Sequence, residues 1–416
     1  MMTEGRKPLS VYIHVPFCVR KCLYCDFLSF PATPLQRDGY FESLLKEVSA
    51  AADHFRDRGY YVNTVYIGGG TPSLVSEGVI EQILCKLKPL YPEGSKGGAE
   101  VYSEEPDKCH MESASLFLPE ISIEVNPGTL KGEKGREKAA AYARSGINRV
   151  SIGLQSADDS ALKRIGRIHT YSDFLETYDI VRNAGFLNVN VDIMQDLPDT
   201  GYESCIDTLK KVLCLSPEHI SSYSLILEEG TPLFDRQDEF SFPDEDMDRR
   251  IYRDTALILR DHGYDRYEIS NHSLPGYECR HNLVYWERGD YIGLGLGASS
   301  CVDDVRWKNP SNFEVYREYA ENISGSPFPL RDHCEEYEKL STGDIISETM
   351  FLGLRMTKGI DLEHFRRQFG RDVRSVYGEK VDELISEGAL CEEGGRLFLT
   401  DYGVDVSNSV FAEFLL

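Results

Sequence analysis

The sequence predicts an α/β fold: a partial (β/α)6 barrel, open on one side, followed by a smaller C-terminal module. Three observations lead there. Short runs rich in β-branched and aromatic residues alternate with longer runs of helical periodicity as far as residue 230. Such alternation implies parallel strands joined by right-handed crossovers. The residues with unusual chemistry fall at the C-terminal ends of those strands, where folds of this kind keep their functional groups.

The elements follow in order. Strands are expected over 10–16, 64–70, 120–126, 149–155, 188–194 and 220–229. Helices are expected between them over 36–59, 77–91, 134–146, 172–185 and 202–215. The C-terminal strand ends then carry, in turn, a cysteine loop, the run Gly68-Gly69-Gly70-Thr71-Pro72-Ser73, Glu124 with Asn126, Gln155 and Asp192. Residues 92–118 break the alternation. They are rich in Gly, Ser and Glu and lack periodicity, so they read as a solvated, flexible insertion. Cys109-His110 within it is half a metal site with no second pair nearby.

Past residue 235 the pattern changes. A helix over 244–263 leads to a strand at 267–270 and then to an aromatic, polar segment. From 336 a compact tail shows three helical patterns, a Gly-Gly turn between two short strands and a closing helix, which suggests a winged-helix-like module. The expected divisions are 1–235, 236–335 and 336–416. Acidic residues are spread through the tail, so it reads as packing or partner recognition rather than DNA binding.

Composition narrows the class. The chain has 416 residues, 41% of them hydrophobic and 27% charged, as in an ordinary soluble domain protein. No apolar run approaches the roughly 20 residues that span a bilayer. A net charge of −24 opposes non-specific binding to nucleic acid or to an anionic membrane. The N-terminus shows no signal-peptide pattern, so a cytoplasmic location is expected. Eleven cysteines in a chain of this length do not make a disulfide scaffold, and a reducing compartment agrees with thiolate chemistry.

Cys18, Cys22 and Cys25 are spaced C-x3-C-x2-C in VYIHVPFCVRKCLYCDF, on chain leaving the first strand. Sulfurs this close in sequence can converge. Three thiolates with one vacant position suit a [4Fe–4S] cluster with one iron open to a small ligand. A zinc site or an ordinary electron-transfer cluster would want a fourth protein ligand. The bland alternative is three buried thiols or a redox pair. An open iron would chelate the amino and carboxylate groups of a methionine. Gly68, Gly69 and Gly70 would let backbone approach that amino group, or merely form a tight loop. Glu124 would accept hydrogen bonds from a ribose or serve as a structural carboxylate.

With the cysteine loop, GGGTPS, the E-V-N-P run at 124–127 and GINRVSIGLQS at 146–156, the chain resembles a radical S-adenosylmethionine protein. It is similar to the branch that holds oxygen-independent coproporphyrinogen III dehydrogenase and the heme chaperone HemW. The resemblance extends over nearly the whole chain. It implies a radical-SAM barrel in which the reduced cluster cleaves S-adenosylmethionine to methionine and a 5′-deoxyadenosyl radical. Carried over residue by residue, it assigns Tyr12, Gly69, Gly70, Thr71 and Glu124 to a first S-adenosylmethionine. Tyr24, Gln155, Arg167 and Asp192 match positions that contact a second one in the dehydrogenase. Arg167 stands in G-R-I-H (166–169), typical of the HemW group; a plain surface ion-pair partner is the alternative.

Two features separate the subfamilies. The dehydrogenase carries a further cysteine two residues after the third, where this chain has Cys25-Asp26-Phe27. The run His281-Asn282-Leu283-Val284-Tyr285-Trp286 matches the H-N-x-x-Y-W motif associated with heme in the HemW group. Imidazole is a good axial ligand for heme iron, and Tyr285 and Trp286 would pack on a flat macrocycle. Cys279 is a weaker alternative ligand. GLRMTKGIDLEHF (353–365) and GRLFLTDYG (395–403) extend the match into the tail. Departures occur at Gln195-Asp196, where the family has Tyr-Gly, and at Ser299, where it tends to have His. They bear on the second S-adenosylmethionine and the local substrate surface.

The resemblance thus implies a cytoplasmic heme chaperone. It would use a [4Fe–4S] cluster, S-adenosylmethionine and heme, and pass heme to acceptor hemoproteins of respiratory membranes. An electron donor to the cluster is implied; nucleic acid is not. The residues leave open whether the chain dimerises. No general acid–base pair or nucleophile stands out, so no catalytic residue is assigned. The rival is radical oxidative decarboxylation of coproporphyrinogen III to protoporphyrinogen IX. A third reading is a redox partner that only stores electrons.

Overall fold

The structure, a computed structural model, describes residues 5–92 and 118–416. The expected insertion at 92–118 and its Cys109-His110 pair lie almost wholly outside the described residues. Six parallel strands run side by side in chain order: β1 (Lys7–Val15), β2 (Tyr60–Gly69), β3 (Glu120–Val125), β4 (Arg149–Gln155), β5 (Val189–Gln195) and β6 (His219–Ser224). The helices between them are α1 (Pro34–Asp57), α2 (Glu77–Leu87), α3 (Gly132–Arg144), the short α4 (Asp159–Arg164), α5 (Tyr171–Asn183) and α6 (Tyr202–Leu213). Every residue of β4 is buried, as expected of a central parallel strand covered on both faces. Helix starts follow local chemistry. Thr33 with Gln36, and Thr170 with Asp173, close capping boxes on α1 and α5.

Beyond β6 come α7 (Pro232–Asp235), α8 (Glu245–Asp261), β7 (Asp265–Arg266), β8 (Asn271–Ser273), α9 (Arg280–Trp286), β9 (Tyr291–Leu294), β10 (Ser299–Val302), β11 (Val305–Lys308), α10 (Phe313–Asn322) and β12 (Glu336–Lys339). These strands join both edges of the same sheet. Its order is β12-β11-β10-β9-β1-β2-β3-β4-β5-β6-β8-β7. β9 lies parallel to β1, and β8 antiparallel to β6.

Two expected strands come out shorter. The strand at 267–270 is replaced by β7 and β8 flanking a turn. The Glu268 carboxylate accepts from the Ser270 N–H (2.9 Å) and from Asn271 Nδ2 (2.5 Å), which curls the chain at that point. The strand expected to reach 229 stops at Ser224, because its neighbour β5 ends at Gln195.

The tail comprises α11 (Thr342–Gly353), β13 (Ile360–Asp361), α12 (Leu362–Phe369), α13 (Val373–Ser386), β14 (Leu390–Glu393), β15 (Arg396–Leu399), α14 (Asp401–Asp405) and α15 (Ser407–Ala412). Its three strands form a separate antiparallel sheet, β13-β15-β14. It has a core of its own, built on Met350, Phe365, Leu397 and Phe414. The expected three helices and the Gly394-Gly395 turn are present, and two short helices, α14 and α15, stand where one closing helix was expected.

One buried carboxylate ties the barrel to its added strands. Glu47 on α1 accepts from the Gly295 N–H (2.8 Å), the Tyr316 hydroxyl (2.6 Å) and Asn309 Nδ2 (2.6 Å). Burial pushes its pKa up to about 7 even though these donors pull it down. The folded chain therefore binds a proton that the unfolded chain releases above its ordinary carboxylate pKa. Stability from this group is full below about pH 4.5 and is lost as pH rises through 7. Measured by chemical denaturation, the stability of the parent relative to Glu47→Gln is expected to fall between pH 5 and pH 8 by up to about 3 kcal/mol. Glu47→Gln cannot ionise, so the comparison isolates this group from Glu124, raised in the same way, and from the buried histidines, whose lowered pKa values act in the opposite direction.

Candidate functional site

The cysteine loop leaves β1 at the mouth of the barrel and is pinned to two other segments, the loop after α4 and the short helix α7. The Leu23 N–H donates to the Ile165 carbonyl (3.0 Å), the Leu233 N–H to the Leu23 carbonyl (2.9 Å), and Arg20 Nη2 to the Gly166 carbonyl (2.8 Å). Cys18 is buried, while Cys22 and Cys25 are half-buried. Two cysteines already have donors on their sulfurs. Thr71 Oγ1 lies 3.6 Å from Cys18 Sγ, and Arg167 Nη1 lies 3.7 Å from Cys22 Sγ. Burial raises the Cys25 thiol, and nearby Cys22 raises it further.

Among the described residues, no three His, Cys, Asp or Glu side chains close on a single ion. The sequence expectation that the three sulfurs share one point is therefore not met for a mononuclear metal. A cubane asks for something different. Its three cysteine ligands bind three separate iron corners, so their sulfurs stand apart around the cluster. Three cysteines on one pinned loop, with donors to two sulfurs, fit that demand.

The Gly-rich end of β2 is as tight as the sequence suggests. Gly69 has φ +113°, and a Cβ there would fall 2.6 Å from His14 Nδ1. A Cβ on Gly70 would fall 2.8 Å from the Phe17 carbonyl oxygen. The Gly69 N–H donates to Glu124 Oε2 (3.1 Å). Burial, then neighbouring Asp192, pushes Glu124 up to about 7 against the pull of Tyr66, the Gly69 N–H and Arg149. This carboxyl therefore holds its proton closer to neutrality than an ordinary carboxylate does.

Thr71 accepts from Asn126 Nδ2 (2.8 Å), and Arg167 Nη2 donates to Asn126 Oδ1 (3.1 Å) and to the Gly153 carbonyl (2.6 Å). Cys18, Thr71, Asn126, Arg167 and Cys22 are thus linked in one hydrogen-bonded chain. Burial works against the Arg167 charge, but Tyr24, Cys22 and Asp192 around it outweigh burial and keep it cationic. Arg167 is accordingly no surface ion-pair partner. Gln155 ends β4 with φ +71°, at a break in the β4–β5 register, and its side chain turns back toward Gly153. Asp192 accepts from Ser151 Oγ (2.9 Å) and Asn190 Nδ2 (2.7 Å), and burial raises its pKa. Tyr24 packs beside Ala161, Ile165 and Leu197. Tyr12 donates to His14 Nδ1 (3.0 Å), and its ring stacks on Tyr66.

The H-N-x-x-Y-W run sits elsewhere. It forms α9, against the opposite end of the barrel. His281 is 1% exposed. Its Nδ1 lies 2.7 Å from Thr64 Oγ1 and its Nε2 3.0 Å from the Tyr285 hydroxyl, so neither nitrogen is open to iron in this arrangement. Thr64 precedes Gly69 by five positions on β2, about 16 Å along an extended strand. Burial, then Arg149, holds His281 down at about 3, so the ring is neutral. Tyr285 meets Tyr291 edge-on, and the Arg355 guanidinium covers Trp286. Cys279 is fully buried. Its Sγ lies 3.7 Å from Glu120 Oε1, and burial raises its pKa to about 12, which makes a poor thiolate.

Comparison with known proteins gives the family. Residues 12–212 match the model of the Radical SAM superfamily, and residues 340–406 that of the HemN C-terminal domain. A Lactococcus lactis protein named heme chaperone HemW is 35% identical, over 99% of this chain and 98% of its own. The chain belongs to the HemW-like branch of the radical SAM superfamily. Proteins of the same name from Bacillus subtilis and Escherichia coli are each 30% identical over 98% of this chain, and over 99% and 98% of their own. The solved coproporphyrinogen III oxidase of Escherichia coli, described as a radical SAM enzyme, shares the fold. Its TM-score is 0.77 at 20% identity, over 99% of this chain and 90% of that one. Membership of the superfamily implies a [4Fe–4S] cluster and S-adenosylmethionine. Among the described residues no helix is long and apolar enough to cross a membrane.

Two site residues escaped the sequence reading. His14, inside the first strand's apolar run, bridges Tyr12 to the Leu28 carbonyl. Asn126 was placed at its strand end but not in the site, although it joins Thr71 to Arg167. Its position in the E-V-N-P run was the available signal.

Proposed function

We propose that the chain is a cytoplasmic heme chaperone that carries a [4Fe–4S] cluster and S-adenosylmethionine and passes heme to acceptor hemoproteins. Cys18, Cys22 and Cys25 hold the cluster. Tyr12, Gly69, Gly70, Thr71 and Glu124 line the S-adenosylmethionine beside it. Tyr24, Gln155, Arg167 and Asp192 border the second position at the mouth. When bound, the reduced cluster supplies one electron to S-adenosylmethionine. The chain's own residues do the rest of the binding and shielding. Arg167 and Thr71 donate toward the sulfurs. The bare strand end at Gly69 and Gly70 admits a ligand's amino group. Glu124 accepts hydrogen bonds from ribose hydroxyls.

Heme is taken up at the 281–286 segment, with His281 as the iron ligand once the ring is released from the barrel. Membrane-bound respiratory proteins are the expected acceptors, and a separate donor reduces the cluster. The observation that carries the chaperone reading over the dehydrogenase is Phe27. It stands 68% exposed where the dehydrogenase carries its further cysteine. Anaerobically reconstituted protein should bind hemin with a defined Soret band and leave coproporphyrinogen III unconverted. Conversion well above that of a Cys18→Ser variant would replace this reading with the decarboxylase.

A further inference from the structure

A file of aromatic rings runs through the barrel from α9 to the mouth. Tyr285 meets His281 edge-on at 5.1 Å between centroids, and His281 stacks on Tyr66 at 5.2 Å. Tyr66 stacks on Tyr12 at 6.4 Å, and Tyr12 lies 5.9 Å from His14. Hydrogen bonds assign each imidazole its tautomer. His14 Nε2 donates to the Leu28 carbonyl (2.9 Å), so Nδ1 accepts the Tyr12 hydroxyl. Thr64 Oγ1 donates to Ser10 Oγ (2.8 Å), so His281 Nδ1 donates to Thr64 and Nε2 accepts the Tyr285 hydroxyl.

The upper rings are walls of the S-adenosylmethionine pocket. A Cβ on Gly68 would fall 3.0 Å from both Glu124 Oε1 and Tyr66 Cε1, and 3.1 Å from Tyr12 Cε2. Those three side chains therefore meet at one place on β2. The lower ring is held from beneath. Glu120 receives the Arg280 and His281 N–H groups at 3.2 and 3.0 Å, fixing the first turn of α9 to the start of β3. His281 is thus a rigid ring under a wall of the pocket, on a helix otherwise remote from it.

We propose that His281 is a positioning residue for the S-adenosylmethionine pocket and that heme iron competes with the pocket for it. This rests on the cofactor and heme reading given above. An imidazole has two nitrogens, and the file uses both. Iron can take Nε2 only after the Tyr285 hydroxyl lets go and the ring leaves Tyr66. That departure removes the support under Tyr66, and with it the setting of Tyr12 and Glu124. Two ligands that need one side chain in two places weaken each other by the same factor, whichever is added first.

The test is a reciprocal titration of full-length, cluster-loaded protein with S-adenosylmethionine and hemin. Saturating hemin should raise the apparent Kd for S-adenosylmethionine about tenfold, and S-adenosylmethionine should raise that for hemin by the same factor. His281→Ala should weaken S-adenosylmethionine about tenfold without hemin, at unchanged cluster content, and added imidazole should restore the affinity. Tyr285→Phe, which frees Nε2 but keeps the ring, should tighten hemin binding. A coupling factor of one in the unaltered protein would overturn the competition, with no variant needed. Unchanged S-adenosylmethionine affinity in His281→Ala would overturn the positioning role. If hemin fails to bind, the heme reading falls and the His281→Ala arm still decides positioning. If the unaltered chain binds no S-adenosylmethionine, the cofactor reading falls and this proposal with it.

Discussion

Replacing Cys18, Cys22 and Cys25 together by serine is expected to leave a folded chain holding less than about a tenth of the parent's iron and sulfide after anaerobic reconstitution. Serine is a hard, weakly acidic ligand that does not substitute for a thiolate on an iron–sulfur cluster. The fold should survive because the loop caps the barrel rather than filling it. The main core is built instead on Val11, Ile13, Ile67, Ile123 and Ile152, all fully buried in the sheet. Ferrozine iron, acid-labile sulfide and far-UV circular dichroism measured on one preparation check both halves. The ligands must lose protons to bind, and Cys25 starts from a raised pKa, so cluster loading should also fall with decreasing pH.

Arg167→Ala has the second largest expected effect. The guanidinium bonds the Gly153 carbonyl and Asn126, and approaches the Cys22 sulfur. Removing it strands two partly buried acceptors and takes a cation from beside a thiolate. The loss should be about 3 kcal/mol in denaturant unfolding. The cluster's reduction potential should become more negative, since reduction adds charge where a neutralising cation has gone. Arg167→Lys should rescue little, because one ammonium cannot bridge a carbonyl, an amide and a sulfur at fixed angles. A potentiometric titration followed by electron paramagnetic resonance, beside a urea curve, reads both effects.

What the sequence disclosed, and what it hid, follows the range of the interactions. The six parallel strands were legible because central strands buried on both faces read as continuous apolar runs; β4 falls at 149–155 as expected. The cysteine loop was legible because its chemistry lies within eight residues of chain. The added strands β7 to β13 were mostly not legible, being two to four residues long and specified by partners far away. His281 is the sharpest case. Its motif pointed to an open iron ligand, but its Thr64 partner lies 217 positions away, and no local pattern reveals that bond. For Arg167 the local signal left two readings open. A surface ion pair was a fair alternative from spacing, until the fold buried it among Asn126, Gly153 and Cys22.

The central claim is an iron–sulfur cube on the three-cysteine loop with one iron open to S-adenosylmethionine. The most direct measurement is electron paramagnetic resonance of the dithionite-reduced, reconstituted protein before and after S-adenosylmethionine is added. The account predicts an S = ½ cluster signal whose g-values shift on addition. With methyl-13C or carboxylate-17O labelled S-adenosylmethionine, it predicts hyperfine coupling to the cluster. A cluster signal that stays the same on addition, with no coupling to either label, would contradict it.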